Sequence, residues 1–328
     1  MKPIVVATRE LPEPSLSTLT PDFELRVLGY APSELELAAE VAEAEALITL
    51  VSDPVTSRVI AAAPRLKVIA NYAVGLDNVD RAAAALRGIF VTHTPGVLTE
   101  ATADLTMALL LALTRRVVEG DRMVRSGRFA GWAPDLLLGT ELKGKVLGIL
   151  GPGRIGRAVA RRARAFGMTV IATGRSARDD QDPDDPPRVS FEELLRRADV
   201  ISVHAPLTEQ TRGLFGRETI ARMKPGSCLL NTSRGPIVVE SALAEAVSTG
   251  QLSGAGLDVY ENEPGITPAL LDLDRVVLMP HAGSATIETR REMARMVVED
   301  VRRVLSGGKP LWAAPPAGAE RERSGEEG

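Results

Sequence analysis

KVLGILGPGRIGRAVARRARAFG, residues 145–167, runs from a β-like apolar stretch through a glycine-rich turn into an Ala/Arg-rich helical stretch. The order strand, turn, helix gives meaning to Gly151, Gly153 and Gly156, whose G-x-G-x-x-G spacing is weak when it stands alone. Gly151 permits a tight turn, Gly153 lets the backbone approach a pyrophosphate, and Gly156 lets helix and strand pack closely. The N–H groups at Arg154 and Ile155, with the positive end of the helix dipole, then receive the anion. The stretch is therefore read as a dinucleotide-binding βα unit.

Outward from this unit the same alternation continues in both directions. PIVVAT, FELRVLG, ALITLV, LKVIANYA and GIFVTHT precede it, and TVIATGR, DVISVHA, SCLLNTS, GAGLDVY and RVVLMPH follow, with Ala/Glu/Arg-rich stretches between them. Such alternation predicts an α/β protein with two doubly wound parallel-sheet domains. A helix is expected from Ala101 to Ser126, and its segment LTMALLLAL is apolar on nearly every side. It must be buried all round, either at a homodimer interface, which is favoured, or in a core within the chain. A further helix near Ile287–Leu305 is expected to fold back onto the first domain. The Pro/Gly/charge-rich tail, 312–328, is expected to be disordered.

Composition removes several functional classes. The 328 residues carry a formal charge of −4, and acids and bases are interleaved, so no basic stripe suggests a nucleic-acid partner. Cys228 is the only cysteine, which excludes an intrachain disulfide, a zinc knuckle and a CxxC pair, and no metal site is expected. The longest apolar stretch, LTMALLLALT, falls short of the roughly 20 residues a spanning helix needs, and the N-terminal apolar run is too short for a signal sequence. A cytoplasmic protein without a membrane role is expected.

The second strand of the dinucleotide unit should end at an acid that holds the adenosine ribose. The sequence instead reads Thr173, Gly174, Arg175, Ser176, with Arg178 close behind. A guanidinium and a hydroxyl can bond a 2′-phosphate that a carboxylate would repel, which predicts preference for NADP(H), with NAD(H) still possible. The alternative is that these arginines only solvate a loop.

Three polar signatures close the last strands: NTSRGPIVVE around Arg234, GLDVYENEP around Asp258 and Glu263, and MPHAGSAT around His281. Together with NYAVGLDNVD (71–80), TPGVLTEATAD (94–104), LKGKVLGILGPGRIG (142–156), HAPLTEQTRGLF (204–215) and MKPGSCLLNTSRG (223–235), they resemble the D-isomer-specific 2-hydroxyacid dehydrogenase family. The resemblance implies a Rossmann cofactor domain, 97–281, inserted into a flavodoxin-like substrate domain formed by 1–96 and 282–311. It implies that Arg234 grips a 2-oxo acid, that His281 is the acid/base with Glu263 as its partner, and that the backbone at Val74 and Gly75 receives the substrate carboxylate. Thr102, Thr173, His204, Ala205, Pro206, Thr211, Thr232, Ser233 and Gly283 would line the cofactor. Asp258 would contact the nicotinamide amide or merely cap its strand, and His93 is read as a solvated or hinge residue.

These residue types suit the chemistry. Arginine's planar fork matches a carboxylate or an adjacent keto oxygen. When hydride reaches the carbonyl carbon, charge builds on oxygen and needs a proton, which histidine can deliver near neutrality. TGRSAR and PHAGSAT look most like glyoxylate and hydroxypyruvate reductases, and Leu98 and Trp132 would close a small pocket. Two alternatives stay open: an NAD-using dehydrogenase of the 3-phosphoglycerate or D-lactate type, and a dinucleotide-sensing binding protein like the C-terminal-binding protein corepressors.

Overall fold

The computed structural model describes residues 2–13, 15–174 and 185–315, which divide into two units, Met1–Leu98 with Ser284–Gly328, and Thr99–Gly283. Each unit is built on a wholly parallel sheet.

In the first unit the strands are β1 (Ile4–Ala7), β2 (Glu24–Val27), β3 (Ala46–Thr49), β4 (Val68–Asn71) and β5 (Phe90–Thr92), in the order β2-β1-β3-β4-β5. β1, β3 and β4 are buried along their whole length, as strands covered on both faces must be. The helices α1 (Glu34–Glu40), α2 (Ser57–Ala62) and α3 (Arg81–Leu86) connect them. Leu37, Val59, Ile60 and Ala84 from these helices pack against Val6, Leu47 and Ile69. The last helix of the chain, α11 (Ile287–Leu305), places Ala294, Val297 and Val301 against Val5, Ile48 and Val68.

One expectation fails in part here. Residues 312–315, counted with a disordered tail, are ordered: His93 N–H donates to the Trp312 carbonyl (3.1 Å) and Ala314 N–H to that of Val91 (2.7 Å). The cause lies in α11, whose buried Asp300 accepts the N–H groups of Leu311 (2.6 Å) and Trp312 (3.2 Å). Residues 316–328 lie outside the described residues.

The second unit begins with α4 (Thr99–Thr114) and α5 (Val117–Arg125). It continues through β6 (Val146–Leu150), α6 (Arg154–Ala165), β7 (Thr169–Thr173), α7 (Phe191–Arg197), β8 (Val200–Val203), α8 (Arg217–Ala221), β9 (Ser227–Asn231), α9 (Glu240–Ser248), β10 (Leu252–Leu257), α10 (Pro268–Leu271) and β11 (Val276–Leu278). The strand order is β11-β10-β9-β8-β6-β7, and Arg188 adds one isolated parallel bridge to Ala172 of β7. The chain therefore reverses its direction of growth between β6 and β8, where ligands of open α/β sheets bind.

The single helix expected over 101–126 is two helices, parted at Arg116, which takes a left-handed φ of 54° and bonds Glu119 through Nε (3.0 Å). Its apolar girdle is covered inside the unit: Leu109, Leu110 and Leu113 pack with Leu147, Ile149, Val159 and Leu230. The all-round hydrophobicity of α4 thus reports a core within the chain, and it gives no reason to invoke a second subunit. Among the described residues no helix is long and apolar enough to cross a membrane.

Candidate active site

The glycine-rich turn has the shape its sequence requires. Gly151 takes a φ of +87°, and a Cβ there would fall 2.7 Å from the Ala205 nitrogen, while one at Gly156 would fall 2.6 Å from the Gly151 carbonyl oxygen. Only glycine closes β6 onto α6 and the β8 loop at these distances. At Gly153, the N-cap of α6, a Cβ would meet nothing within 4 Å, and no side chain caps the helix. The first N–H groups of α6, at Arg154, Ile155 and Gly156, have no carbonyl of their own helix to bond. Open space over orphan donors at a helix N-terminus fits the pyrophosphate of a dinucleotide.

The other candidates are held by local hydrogen bonds. Thr173 ends β7, and Arg175 and Ser176, the residues read as 2′-phosphate ligands, lie outside the described residues, as does Arg178. Thr211 Oγ1 donates to the Pro206 carbonyl (2.7 Å) and accepts from Thr208 N–H (2.8 Å), which folds the loop after Ala205. Thr102 Oγ1 donates to the Gly283 carbonyl (3.1 Å), and Thr106 and Thr232 share a hydroxyl contact of 2.9 Å. His204 bonds Ser202 Oγ through Nε2 (2.8 Å). Some of its surface reaches solvent, yet desolvation pulls its pKa down to about 4.

Arg234 follows β9 directly. Buried Asn231, the last residue of that strand, donates from Nδ2 to the Arg234 carbonyl (2.9 Å) and accepts Ser233 N–H at Oδ1 (3.0 Å), so one amide fixes the whole turn. Ser233 Oγ donates to the Ala205 carbonyl, and Arg234 Nη1 to that of Ser233 (2.8 Å). Asn231 was missed in the sequence because an asparagine at a strand end reads as turn chemistry.

His281 sits beyond β11 with a left-handed φ of 54°, its N–H donating to the Asp258 carbonyl (2.9 Å). The Asp258 carboxylate, 1 % exposed, accepts the N–H groups of Ala282 (2.7 Å) and Gly283 (2.8 Å) and so ties the end of β10 to the loop after β11. Burial raises its pKa, opposed by those N–H groups and by the charge of His281. The His281 Nδ1 lies 2.8 Å from Glu263 Oε2, and Tyr260 N–H donates to Glu263 Oε1 (3.0 Å). Burial would raise the Glu263 carboxyl, yet the hydrogen bond and charge of His281, the Tyr260 N–H and the charge of Arg234 outweigh it and hold it below the usual carboxylate range. Arginine, glutamate and histidine thus form one electrostatic set within the unit.

In the other unit Asn71, the last residue of β4, donates from Nδ2 to the Gly75 carbonyl (2.8 Å) and so shapes the turn containing Val74. His93, read as a solvated or hinge residue, has its Nδ1 3.0 Å from the Val74 carbonyl oxygen. Leu98 is half-buried. Trp132 stands 84 % exposed.

Residues 107–283 match the sequence model of the D-isomer specific 2-hydroxyacid dehydrogenase, NAD binding domain. The chain is 48 % identical over 307 residues to a glyoxylate reductase of Korarchaeum cryptofilum, covering 92 % of each chain. It is 46 % identical over 331 residues to a glyoxylate reductase of Thermococcus litoralis, covering 96 % of this chain and all of the other. Among solved structures, a protein from Thermus thermophilus superposes with a TM-score of 0.90 at 48 % identity, covering 95 % of this chain and 100 % of that one. The NADPH-dependent glyoxylate/hydroxypyruvate reductase of Sinorhizobium meliloti, in complex with NADP and malonate, gives 0.87 at 32 % identity, covering 96 % and 98 %.

Proposed function

The chain belongs to the D-isomer specific 2-hydroxyacid dehydrogenase family, whose members are NAD(P)-dependent oxidoreductases, and from that premise we propose that it reduces glyoxylate or hydroxypyruvate to the D-2-hydroxy acid with NADPH preferred. The observation that carries the reading is the 2.8 Å contact between His281 Nδ1 and Glu263 Oε2, made beside the charge of Arg234.

A dinucleotide held at the glycine-rich turn would supply the hydride. Arg234, permanently charged, holds the 2-oxo acid and polarises its keto oxygen. Charge building on that oxygen is met by a proton from His281, for which Nε2 is available once Nδ1 is engaged by Glu263. Glu263 stays ionised, because its pKa is held low, and so keeps the ring oriented. With about a third of its side chain exposed (32 %), His281 can recover a proton from water after turnover. Asp258 holds the loop that follows the ring and keeps the histidine's carbonyl end fixed.

Support for NADPH comes from the sequence, which has Arg175 and Ser176 just after the second strand of the dinucleotide unit, where the motif calls for a ribose-binding acid. Bonds to charged groups contribute about 1.5–3 kcal/mol, or a preference of roughly 10- to 100-fold. A homodimer is part of the same reading, resting on five exposed apolar side chains between residues 117 and 138: Val117, Val124, Phe129, Trp132 and Leu138. Mass in solution tests it, and a strict monomer overturns it.

The direct experiment is NADPH and NADH oxidation by the purified chain with glyoxylate, hydroxypyruvate, pyruvate and 3-phosphohydroxypyruvate. Glyoxylate or hydroxypyruvate with NADPH should give the highest kcat/KM. A clear NADH preference overturns the cofactor assignment, and no turnover with any of the four acids overturns the reaction.

A further inference from the structure

Glu240, the first residue of α9, is 3 % exposed and carries a carboxylate that the proton-transfer chemistry above does not use. A buried carboxylate persists only where its oxygens are satisfied. Here Oε1 accepts Glu261 N–H (2.7 Å) and Oε2 accepts Thr267 N–H (2.8 Å). The Glu261 side chain answers in kind, its Oε2 accepting Glu240 N–H (2.7 Å) at the start of α9, where a negative charge also meets the positive end of the helix. The two bonds from Glu240 bracket Glu263, one gripping the backbone two residues before it and the other four residues after.

The same loop is pressed onto the turn that carries Arg234. A Cβ at Gly235 would fall 1.8 Å from the Tyr260 carbonyl oxygen, so nothing larger than glycine fits between the two backbones. Tyr260 in turn donates its N–H to Glu263 (3.0 Å) and its hydroxyl to the Met279 carbonyl (2.7 Å), two residues before His281. We propose that Glu240, with Glu261, is a positioning residue for the proton-transfer pair, setting the Glu263 carboxylate against the His281 ring. The proposal rests on the reading of His281 as proton donor.

A role in positioning predicts a kinetic signature that a general structural role does not. Arg234 is held by Asn231 from its own strand, so loosening the Glu263 loop should leave substrate binding nearly intact. Glu240→Gln keeps the shape and one acceptor, and kcat should fall about 10-fold; Glu240→Ala should lower it about 100-fold, the scale of a misplacement of about 1 Å. KM for glyoxylate should change less than about 2-fold, and the alkaline limb of the kcat profile for reduction should move to lower pH as the ring loses its carboxylate. Glu261→Gln, at a less buried position, should act in the same direction but more weakly, and it carries the test if the Glu240 variants fail to fold.

The measurement is kcat and KM for NADPH-dependent glyoxylate reduction by the full chain from about pH 5 to about pH 9, with His281→Asn assayed in parallel. A lower kcat with an unmoved pH profile in the Glu240 and Glu261 variants, or no change at all, overturns the positioning role while His281→Asn stays inactive. Wild-type turnover by His281→Asn overturns both this proposal and the proton-donor reading.

Discussion

Two histidines stand at the carboxyl end of the same parallel sheet, and their backbones and partners set them apart. His204 follows β8 and continues its ladder, its N–H donating to the Leu150 carbonyl (2.8 Å). Its ring meets a hydroxyl, Ser202 Oγ, which does nothing to offset a charge, and burial takes the pKa to about 4. His281 leaves the ladder with a φ of 54°, keeps 32 % of its side chain exposed and meets a carboxylate. The contrast teaches that strand-end placement alone does not make a histidine an acid. A partner that stabilises the charged ring does that.

The sharpest way to break the contrast is to remove the exposed ring. His281→Asn should lower kcat by about 10²–10⁴, the range for loss of a general acid. Asparagine is the better replacement than alanine because it tolerates the left-handed backbone, so lost activity cannot be assigned to strain. Steady-state reduction of glyoxylate measures it. Next in size is Glu263→Gln, which turns the partner of His281 into a neutral amide and makes it resemble that of His204. A fall of about 10- to 100-fold is expected, with the alkaline limb of the profile displaced to lower pH. An unchanged profile would show that a neutral partner suffices.

The His204 ring should be felt in stability. It titrates near 4 in the folded chain against an ordinary 6.5, so between those values the unfolded chain takes up the extra proton. Its contribution is intact above about pH 6.5 and is lost as the pH falls toward 4, by at most about 3 kcal/mol. His204→Gln, which cannot titrate, should flatten the urea-denaturation midpoint between pH 7 and pH 4.5; equal slopes in both proteins would count against burial as the cause. The smallest effect is on its turnover, expected within about 3-fold of wild type, since the ring is not assigned a proton transfer.

Much of this was legible in the chain. Apolar runs of four to six residues, such as VLGIL and IVVA, announce strands buried on both faces, and GPGRIG announces the turn between β6 and α6. What escaped had weak local signals. Arg116 breaks a helix without a glycine or proline to mark it. Arg188 extends the second sheet by a single bridged residue in a proline-rich stretch. The burial of α4 was foreseen, but periodicity says only that a face is covered and cannot name the cover. In the site, Arg234, Glu263 and His281 could be named, whereas Asn231 and Glu240 could not. Their work is done through backbone N–H and C=O groups of distant segments, and VVESAL reads as an ordinary helix start.

The segment 312–314 laid along β5 has one more consequence. β5 and β2 are the outermost strands of their sheet, and unpaired flanks of that kind are templates for pairing with other molecules. β2 guards its flank with charge, the exposed Glu24 paired to Arg26 at 2.8 Å. β5 has Phe90 and no charged residue, and it is shielded by the chain's own continuation, tethered through Asp300. A chain shortened to residue 310 would therefore fold around the same core but offer a bare, sticky margin, and its failing would be aggregation before any loss of chemistry.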